Sequence, residues 1–102
     1  MDIKFEWDKE NATAHLRKHR VSFETAARVF ADPFALMAQD RLENGEKRWQ
    51  TIGMVEGQLL LLVAHTVTLA EDNDTLGSEI IRIISARKAD KQERKRYENT
   101  HH

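Results

Sequence analysis

The chain has no cysteine, a single proline and four glycines among its 102 residues. Without cysteine there is no disulfide framework, no thiolate metal ligand and no cysteine nucleophile, which fits a reducing cytosol. The longest apolar run, LLLLVA at 59–64, is too short to cross a bilayer. The start MDIKFEWDKEN has no apolar stretch, which disfavours a secretory signal. We therefore expect a cytoplasmic protein that makes no use of a membrane.

The length and composition indicate one globular domain. A chain of this size buries one core, and its 40% hydrophobic and 32% charged residues are ordinary globular values. Low-complexity tracts and internal repeats are absent from the sequence. We expect a single domain over 1–100 and interpret the final two histidines, 101–102, as the stub of an expression tag.

The net charge of −1 hides an uneven distribution of charge along the chain. Acidic residues gather in 40–46 and 71–79, whereas basic residues gather in 15–20 and 82–96. A protein that binds nucleic acid over its whole surface is usually basic overall. This chain can therefore offer at most one basic face.

Two helices are predicted in the first third of the chain. Asp8 is the N-cap candidate for a helix over about 9–18, since its carboxylate can accept backbone N–H groups. Ser22 is the N-cap candidate for a second helix, whose apolar side chains recur at helical spacing from Phe23 to Phe30. Pro33 disfavours helix at the residue before it, so the second helix is expected to stop there.

A third helix is predicted at the end of the chain. DKQE at 90–93 has the form of a capping box, which predicts a helix from Lys91 through Glu98. This helix is polar nearly all round, with Ala89 and Tyr97 as its only apolar anchors. We expect it to fray or to be held by RNA or a partner.

Five stretches have strand character, and a hairpin is predicted at Glu56-Gly57. The strands are expected at 3–7, 34–38, 47–55, 58–67 and 79–89. LLLLVA lacks alternation, which indicates a central strand covered on both faces. The order β-α-α-β-β-β-β-α predicts an α+β fold, an antiparallel meander with helices on one face and an acidic loop at 70–78.

Several stretches, taken in order, resemble the BrnT-type toxins of bacterial type II toxin–antitoxin systems. They are FEWD (5–8), LRKH (16–19), VSFETAARVFADP (21–33), EKRWQTIG (46–53), LLLVAHT (60–66), RIISARKA (82–89) and ERKRY (93–97). They cover most of the chain. No single stretch is diagnostic, but the ordered set is specific.

The resemblance implies a RelE-like fold, a small antiparallel sheet packed against two N-terminal helices and followed by a C-terminal helix. It implies an endoribonuclease that inhibits translation. We expect no cofactor, because the sequence has no cysteine and no metal-binding motif. The implied partners are RNA and a BrnA-like ribbon-helix-helix antitoxin, with DNA bound only through the antitoxin complex. Two alternatives stay open: an inactive homologue that only binds the antitoxin, and a nucleic-acid-binding domain without cleavage.

Three positions depart from the pattern of the family that the chain resembles. Asn11 stands where a lysine is usual, which removes a possible phosphate contact. His15 stands where an asparagine is usual. Arg20 stands where a glycine is usual, so either a left-handed helix end there strains the arginine by about 1 kcal/mol or the turn differs in this chain.

RNA is cut without a metal when one group removes the 2′-OH proton, cations stabilise the charge on phosphorus and an acid protonates the leaving oxygen. The candidates for these catalytic roles are Arg48, His65, Arg82 and Arg87. Simple alternation places Arg82 on one face of the last strand, and Ser85 and Arg87 on the other. Arg82 and Arg87 have an alternative structural role, pairing with an acid such as Glu46 or Glu79, and the alternative for Arg48 is a surface salt bridge. His65 is either a proton-transfer group or a buried histidine satisfied by backbone.

Further residues are candidates for binding RNA. They are Lys18, His19, Trp49, Ser85, Lys88, Arg94 and Tyr97. Trp49 and Tyr97 can stack on bases, and packing in the core is the alternative for both. His15 and His19 have the i, i+4 spacing of a two-histidine metal site, but no third ligand is indicated, so we expect no metal.

Overall fold

The structure is a computed structural model that describes residues 3–69 and 78–100. The predicted tag stub and all but the last residue of the predicted acidic loop lie outside the described residues. The described elements are β1 (Ile3–Glu6), α1 (Lys9–His19), α2 (Phe23–Ala27) with a 3-10 extension (Arg28–Ala31), β2 (Leu36–Glu43), β3 (Glu46–Val55), β4 (Leu59–Leu69), β5 (Glu79–Lys88) and α3 (Lys91–Asn99). The predicted element order and the α+β class are confirmed.

The strands form one five-stranded sheet in the order β1-β5-β4-β3-β2. Strands β2 to β5 make the predicted antiparallel meander. β1 pairs in parallel with β5, Ile3 lying opposite Glu79, so the sheet is mixed and the prediction of a wholly antiparallel sheet is wrong for β1. α1 and α2 carry the chain from one edge of the sheet towards the other. A strand pattern alone does not encode which neighbour a strand joins.

The central strand β4 is covered on both faces, as its continuous apolar run predicts. Leu61 and Val63 are buried against α2, where Phe23 and Ala26 have no exposed surface. On the opposite face, α3 places Tyr97 in a second buried cluster, with Ile52, Leu60 and Leu62. The prediction that all helices lie on one face is therefore wrong for α3.

The predicted helix starts are confirmed by hydrogen bonds at the caps. The Asp8 carboxylate accepts the Glu10 N–H at 2.9 Å, and the Ser22 hydroxyl accepts the Thr25 N–H at 3.0 Å. At α3 the Asp90 side chain accepts the Glu93 N–H, and the Glu93 side chain accepts the Asp90 N–H, both at 2.8 Å. Local sequence is sufficient for these features because donor and acceptor are at most three residues apart.

The tight turn between β2 and β3 was not predicted from the sequence. Asn44 and Gly45 connect the two strands with φ of 53° and 79°, and Glu43 lies opposite Glu46. Positive φ at both central residues is the type I′ geometry that Asn-Gly favours. The dipeptide is visible in the sequence, and it would have extended the predicted strand 34–38 up to Glu43.

Arg20 ends α1 in the left-handed region, at φ 60° and ψ 26°, and its N–H donates to the Leu16 carbonyl at 2.9 Å. Replacing Arg20 by glycine is expected to raise the free energy of unfolding by about 0.5–1 kcal/mol, because glycine adopts positive φ without the Cβ clash. That gain corresponds to about 2–8 °C in melting temperature, measured by circular dichroism.

The control for this change is Arg17→Gly, since Arg17 is an exposed arginine in the interior of the same helix. It is expected to lower the free energy of unfolding by about 1 kcal/mol. A lower melting temperature for Arg20→Gly would mean that the arginine side chain stabilises this turn by more than its backbone geometry costs.

Candidate functional site

A β-bulge interrupts the pairing of β4 with β5 and leaves Ile84 as the extra residue. The flanking pairs are Ala64 with Ser85 and His65 with Ile83. The side-chain amide of Asn11 on α1 donates to the Ile84 carbonyl at 2.7 Å. An extra residue in a bulge loses its ladder partner, so Asn11 supplies a hydrogen bond that the sheet does not. Asn11, which stands where the family usually has a lysine, thus contacts the bulge from α1.

The bulge places three polar residues of β5 on one face of the sheet. Arg82 lies opposite Thr66, Ser85 opposite Ala64, and Arg87 opposite Leu62. All three residues of β4 belong to the face that carries α3, since Leu62 packs with Tyr97 and β4 alternates in steps of two. The prediction that Arg82 lies on the opposite face from Ser85 and Arg87 is wrong, because the extra residue shifts the alternation by one.

Arg48 joins these residues from the neighbouring strand β3. Trp49 lies opposite His65 and faces α1 and α2, so Arg48 and Gln50 on either side of it face the other way. We call the resulting surface the arginine face. It consists of Arg48, Gln50, Ala64, Arg82, Ser85 and Arg87.

The arginine face has a floor of short or uncharged side chains between two raised borders. The floor is a row across four strands in which Ala38, Gln50, Ala64 and Ser85 are successive partners. One border is α3, which covers Ile52 and Leu62 in the adjoining row. The other border is the row that holds Arg48 and Arg82. The surface is thus a shallow trough, bordered by α3 on one side and by the row of arginines on the other. We call the arginine row the open border, because no described helix covers it.

Glu46 connects the two arginines of the open border. Its Oε1 lies 2.9 Å from Nη2 of Arg82 and 3.8 Å from Nε of Arg48. The Arg48 Nε is buried and has no hydrogen-bond partner within the described residues. Arg41 lies directly opposite Arg48, and like charges in that position are unfavourable for folding. The sheet therefore concentrates positive charge here at some cost in stability.

Arg87 stands where the trough meets α3, and Glu93 binds it with both carboxylate oxygens. Nη1 and Nη2 of Arg87 each lie 2.8 Å from one oxygen of Glu93. The hydrogen bond from Arg87 lowers the pKa of Glu93, and the same hydrogen bond to Glu93 raises the pKa of Arg87. The predicted alternative, an ion pair with an acid, is what the structure shows, although the acid is Glu93. This ion pair and the contacts of Tyr97 attach α3 to the sheet. The position of α3 therefore does not depend on bound RNA.

The Arg87–Glu93 pair is expected to make stability depend on acid pH. Because the folded pKa of Glu93 lies below its ordinary value, the pair stabilises the fold above that value and this contribution is lost as pH falls through the lowered pKa. Glu93→Gln should reduce the loss of stability between pH 6 and pH 3 by roughly 0.5–1 kcal/mol, a small figure because solvent screens the partly exposed Arg87.

The measurement for this prediction is urea unfolding at a series of pH values. Glu98→Gln is the matched control, since Glu98 is an exposed carboxylate on the same helix. An unchanged pH dependence in Glu93→Gln would show that the ion pair adds nothing to stability in solution.

His65 does not reach the arginine face. It has no exposed surface, its Nε2 lies 2.7 Å from the Thr51 hydroxyl oxygen, and its Nδ1 lies 3.3 Å from the Thr66 carbonyl oxygen. Phe30 packs against the ring edge-on at 4.8 Å between centroids. Burial lowers the pKa of His65, which favours the neutral ring. The geometry supports the buried alternative and does not support a role in proton transfer.

Four of the predicted RNA-binding residues also lie on the side of the sheet that carries α1 and α2. Trp49 faces α1 and α2, and Lys88 is the partner of Leu61, which is buried against α2. Lys18 and His19 end α1, and the His19 ring packs against His15 at 5.6 Å. The structure does not bring these four side chains into the trough.

The remaining predicted RNA-binding residues lie on the face that carries α3. Ser85 is in the floor of the trough, and Arg94 is exposed on α3. Tyr97 is only 8% exposed, and its hydroxyl donates to the Asp32 carboxylate at 2.6 Å. Burial and Asp32 raise the pKa of Tyr97 to about 12. Packing, the alternative for Tyr97, is thus what the structure shows.

Glu46 was expected only as an ion-pair partner, and its place between two arginines was not predicted. The signal was present, since alternation in EKRWQTIG puts Glu46, Arg48 and Gln50 on one face. Across the residues that the structure describes, no three His, Asp or Glu side chains are grouped as a metal site would require. No described helix is both long and apolar enough to span a membrane.

Fold and site define a small α+β domain with a cationic trough on one sheet face, a surface suited to a polyanion. Comparison with known proteins gives the family. A sequence profile described as "Ribonuclease toxin, BrnT, of type II toxin-antitoxin system" matches residues 7–93. The chain therefore belongs to the BrnT family of ribonuclease toxins, which confirms the resemblance. Membership implies an RNA target and an antitoxin partner.

A solved structure shares the fold. The 1.1 Å crystal structure of the Brucella abortus ribonuclease toxin BrnT matches with a TM-score of 0.61 and 19% sequence identity. The match covers 89% of this chain and 100% of that one. No curated protein sequence matches this chain significantly.

Proposed function

We propose that this protein is a metal-independent endoribonuclease that cuts RNA in the trough of the arginine face and so inhibits translation. The observation that carries the proposal is the placement of Arg48 and Arg82 on one open sheet face beside a floor of short side chains. That placement depends on the bulge at Ile84 and is not a consequence of alternation alone. The alternative is an inactive homologue that only binds an antitoxin.

The two arginines of the open border suit the chemistry of phosphodiester cleavage. As the 2′-oxygen attacks, negative charge grows on the non-bridging oxygens of phosphorus, and fixed cations stabilise it more than they stabilise the substrate. Arg82 is 46% exposed, so its guanidinium is accessible, and Arg48 is only 22% exposed, so its position is constrained. A planar guanidinium donates to two phosphate oxygens at once.

Arg87 has a different part in the proposal. Its two terminal nitrogens are already bound to Glu93, so it orients α3 along the trough and adds positive charge at that border. The exposed Arg94 on α3 extends the charge beyond the trough and suits a flanking phosphate. Ser85 in the floor is a hydroxyl donor for the sugar or phosphate.

The proposed partner is a BrnA-like ribbon-helix-helix antitoxin. An antitoxin that covers the arginine face would exclude RNA from it, and an acidic segment would complement its charge. DNA binding by the pair, and repression of its own operon, would come from the antitoxin. Family membership supports this part of the proposal, together with an overall charge of −1, which disfavours DNA binding by the toxin alone.

The test is incubation of the purified protein with RNA in excess EDTA. We expect cleavage, with a 2′,3′-cyclic phosphate on one product and a 5′-hydroxyl on the other, and no cleavage of a 2′-deoxy strand of the same sequence. Expression in bacteria without an antitoxin should arrest growth. Intact RNA in EDTA that is cut once Mg²⁺ is added would refute metal independence, and intact RNA with unhindered growth would favour the inactive alternative.

A further inference from the structure

We propose that Glu46 is the general base of RNA cleavage, the group that takes the proton from the attacking 2′-hydroxyl. The inference rests on the proposed ribonuclease function and assigns one of the two proton-transfer roles for which His65 was a candidate. With His65 buried on the other face, the trough has cations but needs an acceptor. Glu46 is the carboxylate that lies between those cations.

The position of Glu46 is defined by the turn before it and by the arginines beside it. It is the first residue of β3 and follows the Asn44-Gly45 turn, in which positive φ at both residues leaves little freedom. Both contacts of its carboxylate, to Arg82 and to Arg48, use Oε1. Within the described residues Oε2 makes no hydrogen bond or ion pair, so that oxygen is available to accept a proton.

Three other acidic groups near this surface are engaged elsewhere. Glu93 is bound to both terminal nitrogens of Arg87 and also caps α3. Asp32 accepts the Tyr97 hydroxyl and the Met54 N–H, in the row beyond the one that α3 covers. Glu43, opposite Glu46 in the hairpin, pairs with Arg41 at 3.2 Å. Glu6 of β1 is exposed and lies opposite Arg82, but among the described acids only Glu46 contacts both Arg82 and Arg48.

The proposed step balances in protons and bonds. The Glu46 carboxylate takes the 2′-OH proton as the 2′-oxygen forms its bond to phosphorus, and the bond from phosphorus to the 5′-oxygen breaks. The 5′-oxygen takes a proton from water, and the hydroxide so formed removes the proton from the Glu46 carboxylic acid. Arg48 and Arg82 stabilise the charge on the non-bridging oxygens while the same arginines hold Glu46 in place. General-base catalysis of this kind contributes about 10²–10⁴-fold to a rate.

The test compares Glu46→Gln with Glu43→Gln in single-turnover cleavage of RNA. Glutamine keeps the size of the side chain and an oxygen for Arg82, but it does not take up the proton. We expect Glu46→Gln to slow cleavage by about 10²–10³-fold. Its affinity for an uncleavable 2′-O-methyl RNA of the same sequence should stay within about threefold or become tighter, since a negative charge near phosphate is removed. Glu43→Gln, which removes a neighbouring carboxylate of the same hairpin, should cleave within about twofold of the wild type.

Two further measurements separate a base from a residue that only positions the arginines. A base predicts that the rise in the wild-type rate from acid to neutral pH disappears in Glu46→Gln. A positioning role predicts that Glu46→Gln, which preserves the contact to Arg82, recovers most of the activity lost in Glu46→Ala. Recovery of that kind, or an unchanged pH profile, would overturn the inference.

The outcomes also distinguish this inference from the proposed function. A wild-type protein that fails to cut RNA in EDTA overturns both. Active wild type together with active Glu46→Gln overturns the general base alone and leaves the ribonuclease in place. Circular dichroism melting of each variant checks that the loss of activity is not a loss of fold.

Discussion

Replacing Arg82 by alanine is expected to slow RNA cleavage by about 10²–10³-fold, the usual cost of removing one donor to a developing oxyanion. The melting temperature should fall by only a few degrees, because the ion pair of Arg82 with Glu46 is partly exposed and such pairs contribute about 0–1 kcal/mol. The two results together would place Arg82 in the chemistry and not in the core. The measurements are single-turnover cleavage in EDTA and thermal melting.

Two variants sharpen the Arg82 experiment. Arg82→Lys keeps the charge but loses the planar fork, so cleavage should be recovered only in part. Arg28→Ala is the control, since Arg28 forms an exposed ion pair with Glu56 at the end of β3 farthest from Glu46. It is expected to leave cleavage within about twofold of the wild type. Arg82→Ala with wild-type activity would remove the main support for a cleavage site on the arginine face.

Replacing Gly53 by alanine is expected to lower the free energy of unfolding by about 1–3 kcal/mol, the cost of forcing extra volume into a packed core. A Cβ atom at Gly53 would lie 2.7 Å from the Val29 Cβ and 2.9 Å from the Val29 carbonyl oxygen. Val29 has no exposed surface and is in the 3-10 extension of α2. This extension packs against β3 at Gly53. Because backbone atoms are among those contacted, a side-chain rotation does not relieve the clash.

Gly45→Ala is the comparison for Gly53→Ala. Gly45 has φ of 79° and open space around its Cβ position, so its substitution incurs backbone strain of about 1 kcal/mol without a clash. Both variants are measured by urea unfolding. Equal stability of Gly53→Ala and the wild type would show that the α2 extension does not lie against β3 as described.

Local features were predictable because their partners are close in sequence. Asp8, Ser22 and Asp90 cap helices whose first residues follow them directly. The apolar run of β4 indicated a strand covered on both faces before any neighbour was known. A left-handed end of α1 at Arg20 was one of two alternatives that the sequence left open, and the φ of 60° at Arg20 shows that it is the one adopted.

Pairing across the sheet was less predictable. The parallel pairing of β1 with β5 joins segments about 75 residues apart, and nothing within IKFEW selects that neighbour. The placement of α3 on the opposite face from α1 and α2 depends on Tyr97 meeting Ile52 and Leu62. Those contacts exist only after the sheet has formed.

The candidate site shows the same division more sharply. Residue type singled out Arg48, Arg82 and Arg87, and the structure places all three on one face. Residue type also singled out His65, which the structure buries beside Thr51. A histidine in an apolar strand has the same local sequence whether it faces a core or a cleft, so its environment is a tertiary property.

The sequence by itself determined the α+β class, the order of elements, the helix caps and the family. Each of these follows from local periodicity, from capping residues or from the ordered stretches that match the family. Only the tertiary structure decided that β1 joins β5, that α3 borders a trough, and that Arg82 shares a face with Ser85 and Arg87. The first two depend on contacts between segments far apart in the sequence. The reason for the third is the single extra residue at Ile84, which shifts the alternation of β5 and is detectable only through its pairing with β4.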